Sequence, residues 1–306
     1  MSRGFSAKPF LKWAGGKTQL LAELSRRLPA QIKESKTIST YVEPFLGGGA
    51  FFFYLQEMFA LENVYLMDIN KELMLAYKVV QREPEALISH LDRLEEEYLC
   101  LDTSGRRELY YQIRQQYNRQ RLTFDYGSYG KDWSRRASQL IFLNKTCFNG
   151  LFRQNKRGEF NVPHGRYKKP AICAAANIRE VSKALAGVNL LCADFLSSEA
   201  YVQAGSLVYF DPPYRPLTRT ARFTSYTGGD FTDEDQIRLA KYFRKLDQRN
   251  AFLLLSNSDP VARDPRDDFF DHLYRGFRME RVFAKRNINC HGKKRGEITE
   301  LIIRNY

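Results

Sequence analysis

Apolar positions along the chain follow two rhythms. Short dense runs, Thr40-Tyr41-Val42-Glu43, Val64-Tyr65-Leu66-Met67-Asp68, Leu190-Leu191-Cys192-Ala193-Asp194-Phe195, Val208-Tyr209-Phe210 and Ala251-Phe252-Leu253-Leu254-Leu255, predict buried strands. Between them the spacing turns helical: Leu20, Leu21, Leu24 and Leu28 before Pro29, Phe51-Phe52-Phe53 after a glycine turn, and a helix from Asp233 to Leu246. Strands alternating with helices imply an α/β fold with a largely parallel sheet. One stretch breaks the alternation. From Lys71 to about Lys131 the pattern is helical and charged, with Leu87, Leu91, Leu94 and Tyr98 on one face, and Leu140-Ile141-Phe142-Leu143-Asn144 continues it. The chain therefore divides into a sheet-forming part, residues 1–71 and 177–306, and a mainly helical insertion, residues 72–176. Within the insertion, Gly158 predicts the turn of a β-hairpin between Leu151-Phe152 and Phe160-Asn161-Val162. A second hairpin, tipped by Gly292-Lys293-Lys294-Arg295-Gly296-Glu297 and returning through Leu301-Ile302-Ile303, closes the sheet.

Charge changes this picture by implying a partner. The 306 residues carry a net charge of +13, which suits a polyanion. The basic residues concentrate with aromatics and glycines in Arg153–Lys169, which includes Arg166 and Lys168, and in Lys285–Arg295, which includes Lys294. With no basic amphipathic helix in view, that clustering favours nucleic acid over a membrane surface. No apolar run is long enough for a membrane span and the first residues lack a signal-like stretch, so a soluble cytoplasmic protein is expected. The five cysteines are odd in number, widely spaced and free of C-x-x-C, so neither a disulfide framework nor a zinc site is indicated.

The candidate chemistry centres on Asp211-Pro212-Pro213-Tyr214, where a buried strand stops at an acid and two prolines. Proline cannot donate to a ladder, and in open α/β sheets the ligand crevice lies at the carboxyl ends of the strands. An exocyclic amine of adenine or cytosine is a poor nucleophile because its lone pair is delocalised into the ring. Two acceptors aimed at its hydrogens, the Asp211 carboxylate and the Pro212 carbonyl, favour a more tetrahedral nitrogen, while Tyr214 stacks on a base taken out of the duplex. Gly15-Gly16-Lys17-Thr18 lacks the first glycine of a P-loop, Leu11 standing in its place. Its glycines and Lys17 suit a cofactor with an amino-acid tail. Gly47-Gly48-Gly49 is not a dinucleotide fingerprint, but Asp68 follows it by about 20 residues, the spacing at which an acid reaches ribose hydroxyls. An adenosine-containing cofactor is implied.

Taken in order, Phe10-Leu11-Lys12-Trp13-Ala14-Gly15-Gly16-Lys17, Glu43-Pro44-Phe45-Leu46-Gly47-Gly48-Gly49, Phe148-Asn149-Gly150-Leu151-Phe152-Arg153, Phe160-Asn161-Val162-Pro163 and Asp211-Pro212-Pro213-Tyr214 resemble the Dam-type DNA adenine-N6 methyltransferases over nearly the whole chain. Phe223-Thr224-Ser225-Tyr226 and Leu255-Ser256-Asn257-Ser258 resemble those that accompany restriction systems. The resemblance implies a Rossmann-like S-adenosylmethionine-dependent methyltransferase sheet with an inserted target-recognition domain. It places Trp13, Lys17, Phe45, Asp68, Asp194 and Asp211 at the cofactor. It also places Lys12, Phe148, Asn149, Leu151, Arg153, Pro163, Arg166, Lys168 and Lys294 at double-stranded DNA, with Arg153 and Lys12 reading guanines of GATC. Phe148 and His164 depart from the family pattern, and both bear on DNA contacts. No metal is implied, and a monomer is expected. A cytosine-N4 methyltransferase follows the same logic. A nicotinamide-dependent dehydrogenase leaves Asp211 to Tyr214 without a role, and a non-catalytic DNA-binding protein explains the charge alone.

Overall fold

The computed structural model describes residues 6–13, 15, 17, 19–215, 231–285 and 297–306. Strands β1 (Thr37–Glu43), β2 (Ala60–Asp68), β3 (Asn189–Cys192), β4 (Leu207–Phe210), β5 (Phe252–Ser258), β6 (Arg278–Lys285) and β7 (Glu297–Arg304) form one sheet in the order β3-β2-β1-β4-β5-β7-β6. β3, β2, β1, β4 and β5 run parallel, and β7 is antiparallel to both β5 and β6. The order reverses between β1 and β4, which is where an open sheet of this kind leaves a crevice.

The dense apolar runs other than that of β3, which lies at an edge, become interior strands with both faces covered. Along β4, Leu207 and Tyr209 pack on one side with Tyr41 and Leu254, while Val208 and Phe210 pack on the other with Val42, Leu253 and Leu255. Side chains alternate across a strand, so Asp211 follows on the side of Tyr209. Each of these buried aromatic and aliphatic side chains contributes about 1.5–3 kcal/mol. The first layer holds α1 (Leu21–Arg26), α2 (Ala30–Ser35), α3 (Ala50–Met58), α4 (Lys71–Arg82) and α8 (Ala175–Ala184); the second holds α9 (Asp233–Asp247) and α10 (Phe269–Leu273).

The helical stretch resolves into α4, α5 (Pro84–Cys100), α6 (Thr103–Gln120) and α7 (Trp133–Thr146). It is not continuous: residues 121–132 form turns and coil before Trp133 restarts the helix. Arg136 of α7 is buried against Glu72 of α4 and under the rings of Tyr117 and Phe124, so α7 is tied to α4, the first helix after β2, by an enclosed ion pair. Pro29 ends no helix. α1 already stops at Arg26, and Pro29 stands as the residue before α2, a position its fixed φ and missing N–H suit.

The reversal about Gly158 is present, with φ at 73°. It is held by a single bridge between Gln154 and Phe160 and by backbone bonds from Asn155 to Glu159 (2.9 Å) and from Asn161 to Arg153 (3.1 Å), not by a regular ladder. The Asn155 side chain accepts from the N–H groups of Arg157 and Glu159, and Asn118 of α6 bonds both polar groups of the Phe160 backbone. Side chains thus take over groups that a strand pair would use. At the C-terminus β6 and β7 pair from Arg278–Arg304 to Lys285–Glu297, and the basic tip with Lys294 lies outside the described residues.

Candidate active site

Asp211 leaves β4 beside the ends of β1 and β5. Lys17 Nζ lies 2.9 Å from its Oδ1, and Ser256 Oγ of β5 donates to the same oxygen at 3.0 Å. Because the Ser256 proton is committed there, Tyr209, with its hydroxyl 2.9 Å from Ser256 Oγ, is the donor to Ser256. Both contacts fall on one oxygen, and Oδ2 has no partner among the described residues. Burial pushes the Asp211 carboxyl above its ordinary range, the Lys17 charge and the Lys17 and Ser256 hydrogen bonds oppose this, and the neighbouring Glu300 adds to it.

The rest of the motif is fastened from β5, β7 and α9. Gln236 donates to the Pro213 carbonyl at 3.1 Å and is itself held by Asn257, while Ser258 donates to the Arg215 carbonyl at 3.1 Å. The buried Arg215 guanidinium forks between Asp233 and Asp267. No donor among the described residues reaches the Pro212 carbonyl. Tyr214 lies with its ring 4.1 Å from Lys17 Nζ, and its hydroxyl donates to Glu300 Oε2 at 2.6 Å. Burial holds that phenol well above its ordinary pKa, so it stays a neutral donor.

A second cluster lies at the ends of β1 and β2. Asp68 accepts from the N–H of Gly47 (3.0 Å) and of Asn70 (2.9 Å), and Asn70, not Asp68, caps α4. Gly47 and Gly49 have φ of 49° and 68°, and a Cβ on Gly47 would meet the Trp13 ring at 3.0 Å, so the turn is a close-packed cradle only glycine fits. Trp13 stacks on Phe152 (4.9 Å), and Phe45 stacks on Phe195 (5.3 Å). Asp194 accepts from the Leu196 N–H and pairs with Arg238. Ile69, beside Asp68, is 71% exposed, a large apolar side chain left uncovered at the mouth. Lys17 differs from expectation in its partner: it is engaged by Asp211 and the Gly15 carbonyl.

Several of the DNA candidates are joined through backbone hydrogen bonds. Asn144, fully buried on α7, accepts from the Lys12 N–H and donates to the Lys12 and Gly150 carbonyls at 2.9–3.1 Å. This fixes Lys12 against the Phe148–Gly150 turn, where Asn149 is left-handed and Phe148 is exposed. The Phe148 N–H donates to the Pro163 carbonyl, and Lys12 Nζ lies 5.4 Å from the Tyr167 ring. Leu151 is half-buried, and Arg166 and Lys168 are exposed. Arg153 donates through Nε to Asn161 at 2.8 Å, and its two Nη groups have no partner among the described residues. His164 turns inward to Tyr98, 2.7 Å away, and burial and nearby arginines push its pKa down.

Several residues had no individual signal. Ser256, Glu300 and the buried Tyr41–Glu43 pair reach the pocket because of strand order, and Gln236 because α9 packs against the sheet there. Arg107, Arg114 and Arg121, at seven-residue spacing, line a groove of ≈ 910 Å³ along α6, and that periodicity was available in the sequence.

A sheet of this order, with a reversed β7 between β5 and β6 and an acid-Pro-Pro-Tyr pocket at its switch point, defines a Rossmann-like methyltransferase. The sequence profile described as D12 class N6 adenine-specific DNA methyltransferase matches residues 13–288. The chain is 52% identical over 300 residues, 98% of its length and 99% of the relative's, to Type II methyltransferase M.MjaIII of Methanocaldococcus jannaschii. It is 35% identical over 302 residues (98% and 95%) to Type II methyltransferase M1.LlaDCHI of Lactococcus lactis subsp. cremoris, and 33% over 295 (96% and 94%) to the DNA adenine methylase of Escherichia coli K12. The protein belongs to the D12 class of N6 adenine-specific DNA methyltransferases and is an S-adenosylmethionine-dependent enzyme of that activity. The cytosine-N4, nicotinamide and non-catalytic alternatives fall away. Among the described residues no helix is long and apolar enough to cross a membrane.

Proposed function

We propose that the enzyme methylates the adenine of GATC in duplex DNA after flipping it into the Asp211 pocket, and that residues 1–71 and 177–306 carry the chemistry while residues 72–176 read the site. One observation carries the catalytic part: in a motif fastened almost throughout, Asp211 Oδ2 and the Pro212 carbonyl have no partner among the described residues. These are the two acceptors an amino group with two hydrogens requires. Bound S-adenosylmethionine supplies an electrophilic methyl group. Asp211 and Pro212 hold the amine hydrogens so that its lone pair is available, and the bond to Oδ2 is the route by which the surplus proton leaves. The Lys17 ammonium, 4.1 Å from the Tyr214 ring, would meet a base stacked there, and its charge also suits an anionic cofactor tail.

The cradle fits that cofactor by its chemistry. Asp68 offers remaining lone pairs to ribose hydroxyls, Ile69 an apolar face to a purine, and Phe45, Trp13 and Asp194 flank them. Lys12, Phe148, Asn149, Leu151, Arg153, Pro163, Arg166 and Lys168 would meet DNA, with Lys294 from outside the described residues. The Asn161 bond presents the free fork of Arg153, the geometry suited to guanine O6 and N7. The enzyme would act as a monomer. Incubation with cofactor and a library of four-base sites, followed by nucleoside mass analysis, should give N6-methyladenine confined to GATC. Modification of unrelated sites, or of cytosine, would overturn the assignment.

A further inference from the structure

Glu300 stands on β7 opposite Ser258 of β5 and Val282 of β6, with the whole of β5 between it and the strand that carries Asp211. It is only 8% exposed, and no basic side chain among the described residues pairs with it. A buried carboxylate without a cation is costly. Its close contact is the Tyr214 hydroxyl, which donates to Oε2 at 2.6 Å, a charge-assisted bond that fixes the ring's tilt. The neighbouring Asp259 is engaged separately by Arg281 and Thr299.

We propose that Glu300 is a positioning residue of the active site: its bond to the Tyr214 hydroxyl holds the ring in the attitude that stacks the flipped adenine. This rests on the reading of the Asp211 pocket given above. Asp211 is faced by Lys17 from the segment before α1, by Tyr209 and Tyr214 on its own stretch, by Ser256 of β5 and by Glu300 of β7, with Glu43 and Tyr41 of β1 behind. A like charge disfavours ionisation, and Glu300 acts on Asp211 in that sense.

Two substitutions separate the roles. Glu300→Gln keeps an acceptor for the Tyr214 hydroxyl and removes the charge; Asp211 then ionises more readily, and the acid limb of kcat/KM moves to lower pH. The signal of a fluorescent purine at the target position stays as in wild type. Glu300→Ala removes both, so kcat falls about tenfold or more with KM for DNA nearly unchanged, and the fluorescence signal alters. In a Tyr214→Phe background Glu300→Ala should change that signal no further, since the hydroxyl through which it acts is gone. The proposal is overturned if Glu300→Gln, which keeps the acceptor, lowers kcat and alters the fluorescence signal as Glu300→Ala does. It is equally overturned if Glu300→Ala changes thermal unfolding alone, with kcat and fluorescence unaltered. A wild-type enzyme that gives no fluorescence change on bound DNA defeats the pocket reading itself, a result independent of Glu300.

Discussion

The Asp211 pocket and the surface around Arg153 are built on opposite terms. In the pocket, Asp211, Pro213, Tyr214 and Arg215 are fixed by Lys17, Ser256, Gln236, Ser258, Asp233, Asp267 and Glu300, most of them enclosed. At the other surface Phe148 is exposed, the Gly158 reversal is held by one bridge and local hydrogen bonds with no regular ladder, and the Arg153 fork has no partner among the described residues. The difference assigns labour. A pocket that organises charge in advance supports the reacting centre, whereas groups left open on a surface wait for a partner to satisfy them. Damage to the first should appear in rate, and damage to the second in which DNA is chosen and how salt weakens it.

The largest expected effect is that of Asp211→Ala. It should lower single-turnover methylation by roughly a thousandfold or more while DNA binding at moderate salt survives, because affinity comes mainly from phosphates. Activity within about tenfold of wild type would remove the carboxylate from the mechanism. Asn144→Ala blurs the contrast, since Asn144 holds both the Lys12 backbone and Gly150. With buried backbone groups left unmatched, denaturant unfolding should register a loss of about 1–3 kcal/mol; unchanged stability would show that the two segments are not tied there.

Smaller effects sharpen the comparison. Arg153→Ala should cost roughly 1–3 kcal/mol of discrimination at one base pair in a library of sites, and a uniform loss at every site would make it a phosphate contact instead. Ser256→Ala removes a hydrogen bond that favours ionised Asp211, so the Asp211 pKa rises further and the acid limb of kcat/KM moves to higher pH; an unmoved limb would separate Ser256 from catalysis. Lys168→Ala should weaken binding to all sequences and reduce the salt slope by about one. Sequence-selective weakening would place Lys168 on a base.

Much of this was legible in the residues, and the reasons for the remainder are physical. β1, β2, β4 and β5 announced themselves because interior parallel strands are covered on both faces, and β3, at an edge, still carries the apolar pair Leu190-Leu191. β6, an edge strand with Arg278, Glu280 and Arg281, carries no such run. Pro29 was ambiguous because the same fixed φ that excludes proline from a helix interior suits a helix start. Asp211, Tyr214, Lys17 and Asp68 could be picked out since each interrupts an apolar run or follows a glycine turn. Ser256, Gln236 and Glu300 could not, because a serine in a strand or a glutamate in an edge hairpin acquires meaning only when strand order brings it to Asp211 or Tyr214.

The claim that matters most is that adenine leaves the helix and stacks on Tyr214. 2-Aminopurine, placed at the adenine of a single GATC in a short duplex, reports that step directly. Binding by wild type should brighten it, Tyr214→Ala should change the brightness again, and the probe moved one base away should stay dim. An unchanged signal at the target position, with binding established on the same duplex, would contradict the account.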